Sequence, residues 1–306
     1  MSTAQGSLRA AAFAKLNLTL HVEGVRDDGY HLLEALTVSV GQPHDTLVLT
    51  RDDEPGVRLA LSDEPDVVPV PEEGSNLAVR AAQALLDRTG ADGGFRIWLR
   101  KRIPSGAGLG GGSADAAAVL LAGRALLAAE SALEIPTDAD LVAMGGELGA
   151  DVPFCLGGGA AWMRGIGERL DPVALSRPLP VVVAAPTMRL STPEVFAAWD
   201  TLGGPRSERV VPAPPFVSEH LSQLRNDLEP AAEHVEPSVA DFRRHLEEVS
   251  GLHALMTGSG SAHVVFPPDV READRLAERL RQELDARVFA GATAGTGVRI
   301  APAGPE

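Results

Sequence analysis

The chain has one cysteine, one tyrosine and two lysines among its 306 residues. A single cysteine excludes a disulfide framework and any zinc site built on thiolates, and the expected compartment is a reducing cytoplasm. No stretch approaches the roughly 18 apolar residues of a membrane span, so no membrane association is expected. The N-terminus also lacks the basic-then-apolar plan of a secretory signal. Positive charge is short: 42 Asp and Glu against 27 Lys and Arg leave a net charge of −15. That balance argues against a nucleic-acid partner, which would normally meet a basic face. An anionic ligand would have to be captured by local features, because the overall field opposes it. What remains, at 44% hydrophobic and 23% charged residues, is an ordinary globular composition. The length suits about two domains, each able to bury a core.

Periodicity divides the chain into mixed strands and helices. Residues 16–22 alternate apolar and polar as a half-buried strand does, and β-like runs follow at 32–40, 46–50 and 57–61. A helix is expected from Ser75-Asn76 to Arg88 with Gly90 as its stop, then a strand at 94–101. An Ala-rich helix should span 113–129, and Thr137-Asp-Ala-Asp140 reads as a capping box opening another. The second half offers a strand at 180–185, a helix at 193–202, a Pro-rich loop at 203–217 and helices at 221–229 and 235–250. Strands at 252–256 and 262–266, a charged helix at 270–284 and two closing strands complete it. No βαβ rhythm is present, so an α+β fold is expected rather than a doubly wound sheet. The division falls at 164/165.

The most unusual segment is Pro104-Ser105-Gly106-Ala107-Gly108-Leu109-Gly110-Gly111-Gly112-Ser113-Ala114, between an expected strand and an expected helix. Glycine permits positive φ and lets a ligand approach the backbone amides. A helix start offers unpaired N–H groups and a positive dipole end, which together bind phosphate. No Gly-Lys-Ser/Thr follows, so this is not a P-loop of the Walker type. Gly106-x-Gly108-x-x-Gly111 also satisfies a dinucleotide-binding pattern, but that pattern expects the first βαβ unit of a parallel sheet. A purely structural turn is the third reading.

Lysine is the most telling scarcity. With 25 Arg to two Lys, a basic residue placed merely for solubility would be Arg. Lys15 and Lys101 therefore mark sites that need a compact point charge on a flexible stem. Lys101 lies three residues before Pro104. Asp151, in Leu148-Gly-Ala-Asp-Val-Pro153, reads either as a turn or cap residue or as a rigidly held base for a substrate hydroxyl. Tyr30 and His31 read either as the start of an edge strand or as an aromatic face and an imidazole for a base. Thr257-Gly-Ser-Gly-Ser261 is either a hairpin turn or a second small-residue loop against the first. Cys155, between Phe154 and Leu156, is expected as a buried packing residue. The eight histidines show no metal-ligand spacing, so no metal site is assigned to the protein.

Together these segments resemble the GHMP kinase superfamily over nearly the whole chain, from Ala14-Lys-Leu-Asn17 to Thr257-Gly-Ser-Gly260. The glycine loop carries the superfamily. Ala14-Lys-Leu-Asn17, Asp28-Gly-Tyr-His31, Leu148–Pro153, Thr192-Pro193 and Arg225-Asn-Asp-Leu-Glu229 indicate the acceptor. The resemblance implies two α+β lobes with the active site between them. It implies ATP and Mg²⁺, and phosphorylation of the 2-hydroxyl of a cytidine diphosphate-linked methylerythritol in non-mevalonate isoprenoid biosynthesis. Asp151 would be the catalytic base and Lys15 its partner. The loop 104–114, Asn76 and Lys101 would hold the nucleotide. Tyr30 and Phe196 would sandwich a cytosine, His31 would read its edge, and Asn17 and Thr192 would contact the acceptor. A monomer or weak homodimer is expected. Two departures are visible: Ala12-Phe13 stands where Pro or Ser is common, and Ala114 where a serine is common. A homoserine- or mevalonate-type kinase, a non-catalytic nucleotide-binding protein and an NAD-dependent oxidoreductase are the competing readings.

Overall fold

A computed structural model describes residues 6–62, 73–130, 133–204, 221 and 224–303. The expected α+β character is present: among the described residues the strands pair mostly antiparallel, with one βαβ unit in which Gly56–Leu61 and Gly94–Arg100 run parallel across the helix Leu77–Thr89. Strand β1 (Ser7–Val25) and strand β2 (His31–Asp52) are far longer than the alternating runs suggested, and pair antiparallel along most of their length. Most of β1 is buried on both faces, so its apolar positions outnumber what a half-exposed strand would show.

Strand β2 is the hinge of the topology. It pairs with β1, with β4 (Gly94–Arg100), with β5 (Ala160–Gly165) and, at its middle, with β10 (Ala286–Ala294). Strand β3 (Gly56–Leu61) runs parallel to β4, and β6 (Arg169–Pro172) pairs with β5. The second unit continues from β10 through β7 (Pro180–Pro186) to β9 (His263–Val265) and β8 (Leu255–Met256). The last strand, β11 (Val298–Pro302), returns to pair with β1. The 164/165 position lies within β5.

Helix α1 (Leu77–Thr89) starts where expected, because the Asn76 side chain accepts from Ala78 N, and stops at Gly90 in the left-handed region at φ 63°. Helix α2 (Gly111–Leu127) is apolar all round and buried on nearly every side, the pattern of a central core helix. Its alanines let it lie against β1, β2 and α1. Helix α3 (Asp138–Leu148) has the complete Thr137–Asp140 capping box. Two elements were not expected from the sequence: the short helix α4 (Val152–Gly157) and the β5–β6 hairpin.

In the second half, α5 (Thr192–Thr201) matches its expected span. The expected Pro-rich loop lies mostly outside the described residues, as does part of the expected 221–229 helix. From residue 224 on the chain becomes helical only at α6 (Glu229–Val235), because Asn226 and Asp227 are engaged in holding neighbouring backbone. Helices α7 (Ser238–Ser250) and α8 (Val270–Glu283) close a second core against β7, β9 and β10. A third cluster joins α5 and α6 to Leu20 and Val22 at the end of β1. No described helix is long and apolar enough to cross a membrane.

Candidate active site

The glycine loop bridges β4 and α2, and its backbone takes the conformation that glycine permits. Gly106, Gly108 and Gly110 have φ of 70°, 76° and 68°. A Cβ on Gly108 would lie 2.1 Å from the Thr257 carbonyl oxygen, so the loop packs backbone to backbone on the Thr257–Ser261 segment. Ala262 N also donates to the Ala107 carbonyl at 3.2 Å. Thr257–Ser261 thus realises both readings: it is the turn of the β8–β9 hairpin, with Thr257 N donating to the Ala262 carbonyl at 3.0 Å, and a small-residue loop against the first. Asn226 fastens that loop by donating to the Met256 and Gly258 carbonyls at 2.9 and 2.8 Å.

Gly110 occupies the cap position of α2 and has no side chain to satisfy the helix start. The first-turn amides of Gly111, Gly112 and Ser113 have no intrahelical acceptor. Pro104, Ser105, Gly106, Gly108 and Leu109 join Gly110 to Ser113 in lining a cavity of about 540 Å³. Ala107 and Ala114 do not line it; both are buried in the core. The missing hydroxyl at 114 is thus a core feature, not a loss from the phosphate site as its sequence position implied.

Lys15 and Asp151 meet across this loop. Lys15 Nζ lies 3.6 Å from Asp151 Oδ2 and donates to Asn17 Oδ1 at 2.7 Å. Asn17 Nδ2 in turn donates to Thr37 Oγ1 at 2.8 Å, and Asn17 N to Thr257 Oγ1 at 2.9 Å. A Cβ on Gly110 would fall 2.8 Å from Lys15 Cγ and 3.7 Å from Asp151 Oδ2, so the pair sits directly beside the helix start. Asp151 does not end α3. It occupies the cap position of α4, yet its side chain makes no capping bond, which leaves a carboxylate 33% exposed and facing the cavity. Next to it Cys155 is a packing residue, as expected, with burial pushing its thiol above the usual range.

Lys101 also borders the cavity, but its ammonium is already committed. It contacts Asp45 Oδ2 and lies 2.6 Å from Asp115 Oδ2, with all three side chains sealed from solvent. Lys101 thus stands in the wall of the site, with two of its three N–H donors engaged by carboxyls. Asn76 lines the cavity with its carbonyl spent on capping α1. Asp45 and Asp115 were not foreseen. Asp115 directly follows Ala114 of the glycine loop but has no expected role there, and Asp45, outside every motif, is 56 residues from the lysine it meets.

At the other end, Asn17, Thr192 and Phe196 line the cavity, whereas Tyr30 and His31 do not. Thr192 Oγ1 is hydrogen-bonded to Ser259 Oγ at 2.7 Å. His31 stacks on Phe196 at 4.5 Å between ring centroids, and its Nε2 bonds Asp200 Oδ1 at 2.9 Å. Tyr30 is 59% exposed, with Arg26 lying 5.6 Å from the ring centroid. The ring stacked on Phe196 is His31. Among the described residues no three His, Cys, Asp or Glu side chains cluster as a metal site.

An uncapped helix start with a glycine loop, facing a Lys–carboxylate pair across one cavity, is the arrangement of a phosphotransferase. The chain matches the GHMP kinases N terminal domain over residues 76–159 and the GHMP kinases C terminal domain over 217–286. It belongs to the GHMP kinase family, and is an ATP-dependent small-molecule kinase. Within the family it is 38% identical over 305 residues to a 4-diphosphocytidyl-2-C-methyl-D-erythritol kinase of Thermus thermophilus, covering 95% of this chain and 98% of that one. A solved 4-(cytidine 5'-diphospho)-2C-methyl-D-erythritol kinase shares 38% identity and superposes with a TM-score of 0.72, covering 93% of this chain and 98% of the other. A homoserine kinase from Cytophaga hutchinsonii superposes as well, at 0.71, with 18% identity and coverage of 98% and 99%. That likeness is one of fold alone, so fold does not choose the acceptor.

Proposed function

We infer that this protein transfers the γ-phosphoryl group of ATP to the 2-hydroxyl of 4-diphosphocytidyl-2-C-methyl-D-erythritol. The observation that carries the chemistry is the single cavity holding both the bare start of α2 and the Lys15–Asp151 pair. The phosphates of ATP lie on the amides of Gly111, Gly112 and Ser113, a cradle that works against a net charge of −15 because it is local. Asp151 accepts the hydroxyl proton as the oxygen attacks the γ-phosphorus. The new O–P bond forms as the bond to the β,γ-bridging oxygen breaks, and ADP leaves. Lys15 offsets charge on the transferred group. Positioning and neutralisation are most of what phosphoryl transfer requires. Mg²⁺ would neutralise phosphate charge when it comes with ATP, and we assign it no protein ligand.

The acceptor assignment is supported by the relatives' identity over nearly the full chain and by an aromatic end of the site near Phe196 and His31. A monomer or weak homodimer is the proposed state, and the single buried cysteine suits a reducing cytoplasm. A coupled ADP-release assay with the cytidylated methylerythritol, mevalonate and homoserine as acceptors is the test. Turnover is expected with the first alone, and preferential turnover of either other acceptor would overturn the assignment.

A further inference from the structure

We propose that Asp115 carries a proton in the working enzyme, so that Lys101, Asp45 and Asp115 form a neutral buried unit beneath the phosphate loop. Asp115 is then a positioning residue for ATP. The inference rests on the ATP-kinase reading and goes beyond it to a buried group in the wall of the site.

The geometry places two carboxyls on one ammonium. Asp45, from β2, and Asp115, from α2, both contact Lys101 Nζ, and none of the three is more than 4% exposed. Fully ionised, the unit would hold a net negative charge away from water, which is costly. Two carboxylates sharing a site resolve that cost by one of them keeping its proton.

Hydrogen bonding decides which one. Asp45 Oδ1 accepts from Arg102 N at 2.5 Å and Ile103 N at 2.9 Å, while its Oδ2 faces the ammonium. That set solvates an anion. Asp115 has Lys101 on Oδ2, whereas its buried Oδ1 takes no hydrogen bond from any described donor. The proton belongs on Asp115. Burial pushes its carboxyl well above the usual range, Lys101 opposes this, and the neighbouring Asp45 adds to it. For Lys101 burial works against the charge, but Asp115 and Asp45 outweigh it and its pKa is raised.

The other ionisable groups around α2 leave the balance in place. Lys15 on β1 is paired with Asp151 at the head of α4, and the Cys155 thiol is held neutral by burial. On α1, Arg80, Asp87 and Arg88 are exposed, as are Asp138 and Glu147 on α3, while Asp140 is bonded into its own cap. Arg299 on β11 is exposed and lies over Phe13. A Cβ on Gly111 would lie 3.3 Å from Lys101 Nζ, so the unit sits directly under an amide of the phosphate cradle. While neutral, it leaves that cradle's attraction for phosphate intact. When Asp115 ionises, a buried negative charge appears beneath the triphosphate and ATP affinity falls. By linkage, ATP in turn holds the proton on Asp115.

The test uses the full chain in two measurements. Infrared spectra of wild type and Asp115→Asn at neutral pH are expected to differ by a protonated-carboxyl band present in wild type and absent from the variant. Calorimetric titration with MgATP and no acceptor, across pH, is expected to show wild-type affinity dropping about tenfold on the alkaline side, and no such drop in Asp115→Asn. A wild type without the protonated band overturns the proposal, and so does an alkaline drop that persists unaltered in the variant. If Asp115→Asn does not fold, the wild-type band, assigned by ¹³C-aspartate NMR, and the wild-type pH profile decide alone. ATP that fails to bind at any pH would sink the kinase reading. ATP that binds with pH-independent affinity sinks only the role of Asp115.

Discussion

Lys15 and Lys101 are the protein's two lysines, and both are almost sealed from solvent, at 6% and 4% exposed. Their partners differ. Lys15 faces a carboxylate that is 33% exposed and a neutral amide, whereas Lys101 is closed between two carboxyls with 0% and 4% exposure. The first ammonium stands beside an open carboxylate; the second spends two of its three N–H donors on buried carboxyls. A rare residue type therefore marks where a fold makes special demands, and the company it keeps decides whether the demand is chemical or architectural. Lysine suits both because a compact ammonium can approach several oxygens at once.

The largest effect is expected where the open carboxylate is removed. Asp151→Asn keeps the shape and loses the base, and turnover should fall by about 10³-fold with ATP affinity nearly unchanged. ADP release and ATP titration on the same preparation check this. Turnover within tenfold of wild type would make Asp151 an architectural carboxylate like Asp45, and the contrast between the two lysines would collapse.

Next in size is the sealed site. Lys101→Met removes the ammonium that joins β2 to the start of α2 and leaves Asp45 without its counter-ion in the core. A stability loss of about 3 kcal/mol is expected from urea denaturation, the usual scale for stripping one member from a buried ion pair. The same kind of measurement on Lys15→Met should show a clearly smaller loss, since Asp151 still reaches water. Equal losses would mean that exposure of the partner does not separate the two sites.

Much of this contrast was hidden in the sequence, for a physical reason. Asn76, Gly90 and the Thr137–Asp140 box act on residues within four positions, so the ends of α1 and α3 were readable. The glycine loop was readable too, because positive φ at Gly106, Gly108 and Gly110 and the bare start of α2 are local properties. Asp45 and Asp115 reach Lys101 from 56 and 14 residues away, and although Asp115 adjoins the glycine loop, nothing local says which partner either one meets. His31 and Phe196 stack from opposite halves of the chain, a contact that neither position announces locally. Strands β5 and β6 escaped notice because burial of β5 removes the alternation that marks a half-exposed strand. Position along the chain located the site; partnership across the chain assigned its parts.

Lys15→Arg is the mildest of these changes and the sharpest test of why lysine is retained. Charge is kept, so any deficit must come from shape. In the native site Nζ reaches Asn17 Oδ1 at 2.7 Å while lying 3.6 Å from Asp151 Oδ2, and the stem passes under Gly110, where even a Cβ would come within 2.8 Å of Cγ. A planar guanidinium is wider than an ammonium and prefers two parallel bonds to one carboxylate. It would turn toward Asp151, occupy the oxygen that should receive the hydroxyl proton, and press on Gly110. We expect a loss of about tenfold in kcat/KM, about 1.4 kcal/mol of transition-state stabilisation, with the deficit in kcat more than in the KM for ATP. Steady-state kinetics against both substrates read this directly. An arginine variant with full activity would show that the site needs only a positive charge, and the 25-to-2 preference for arginine elsewhere would then say nothing about this position.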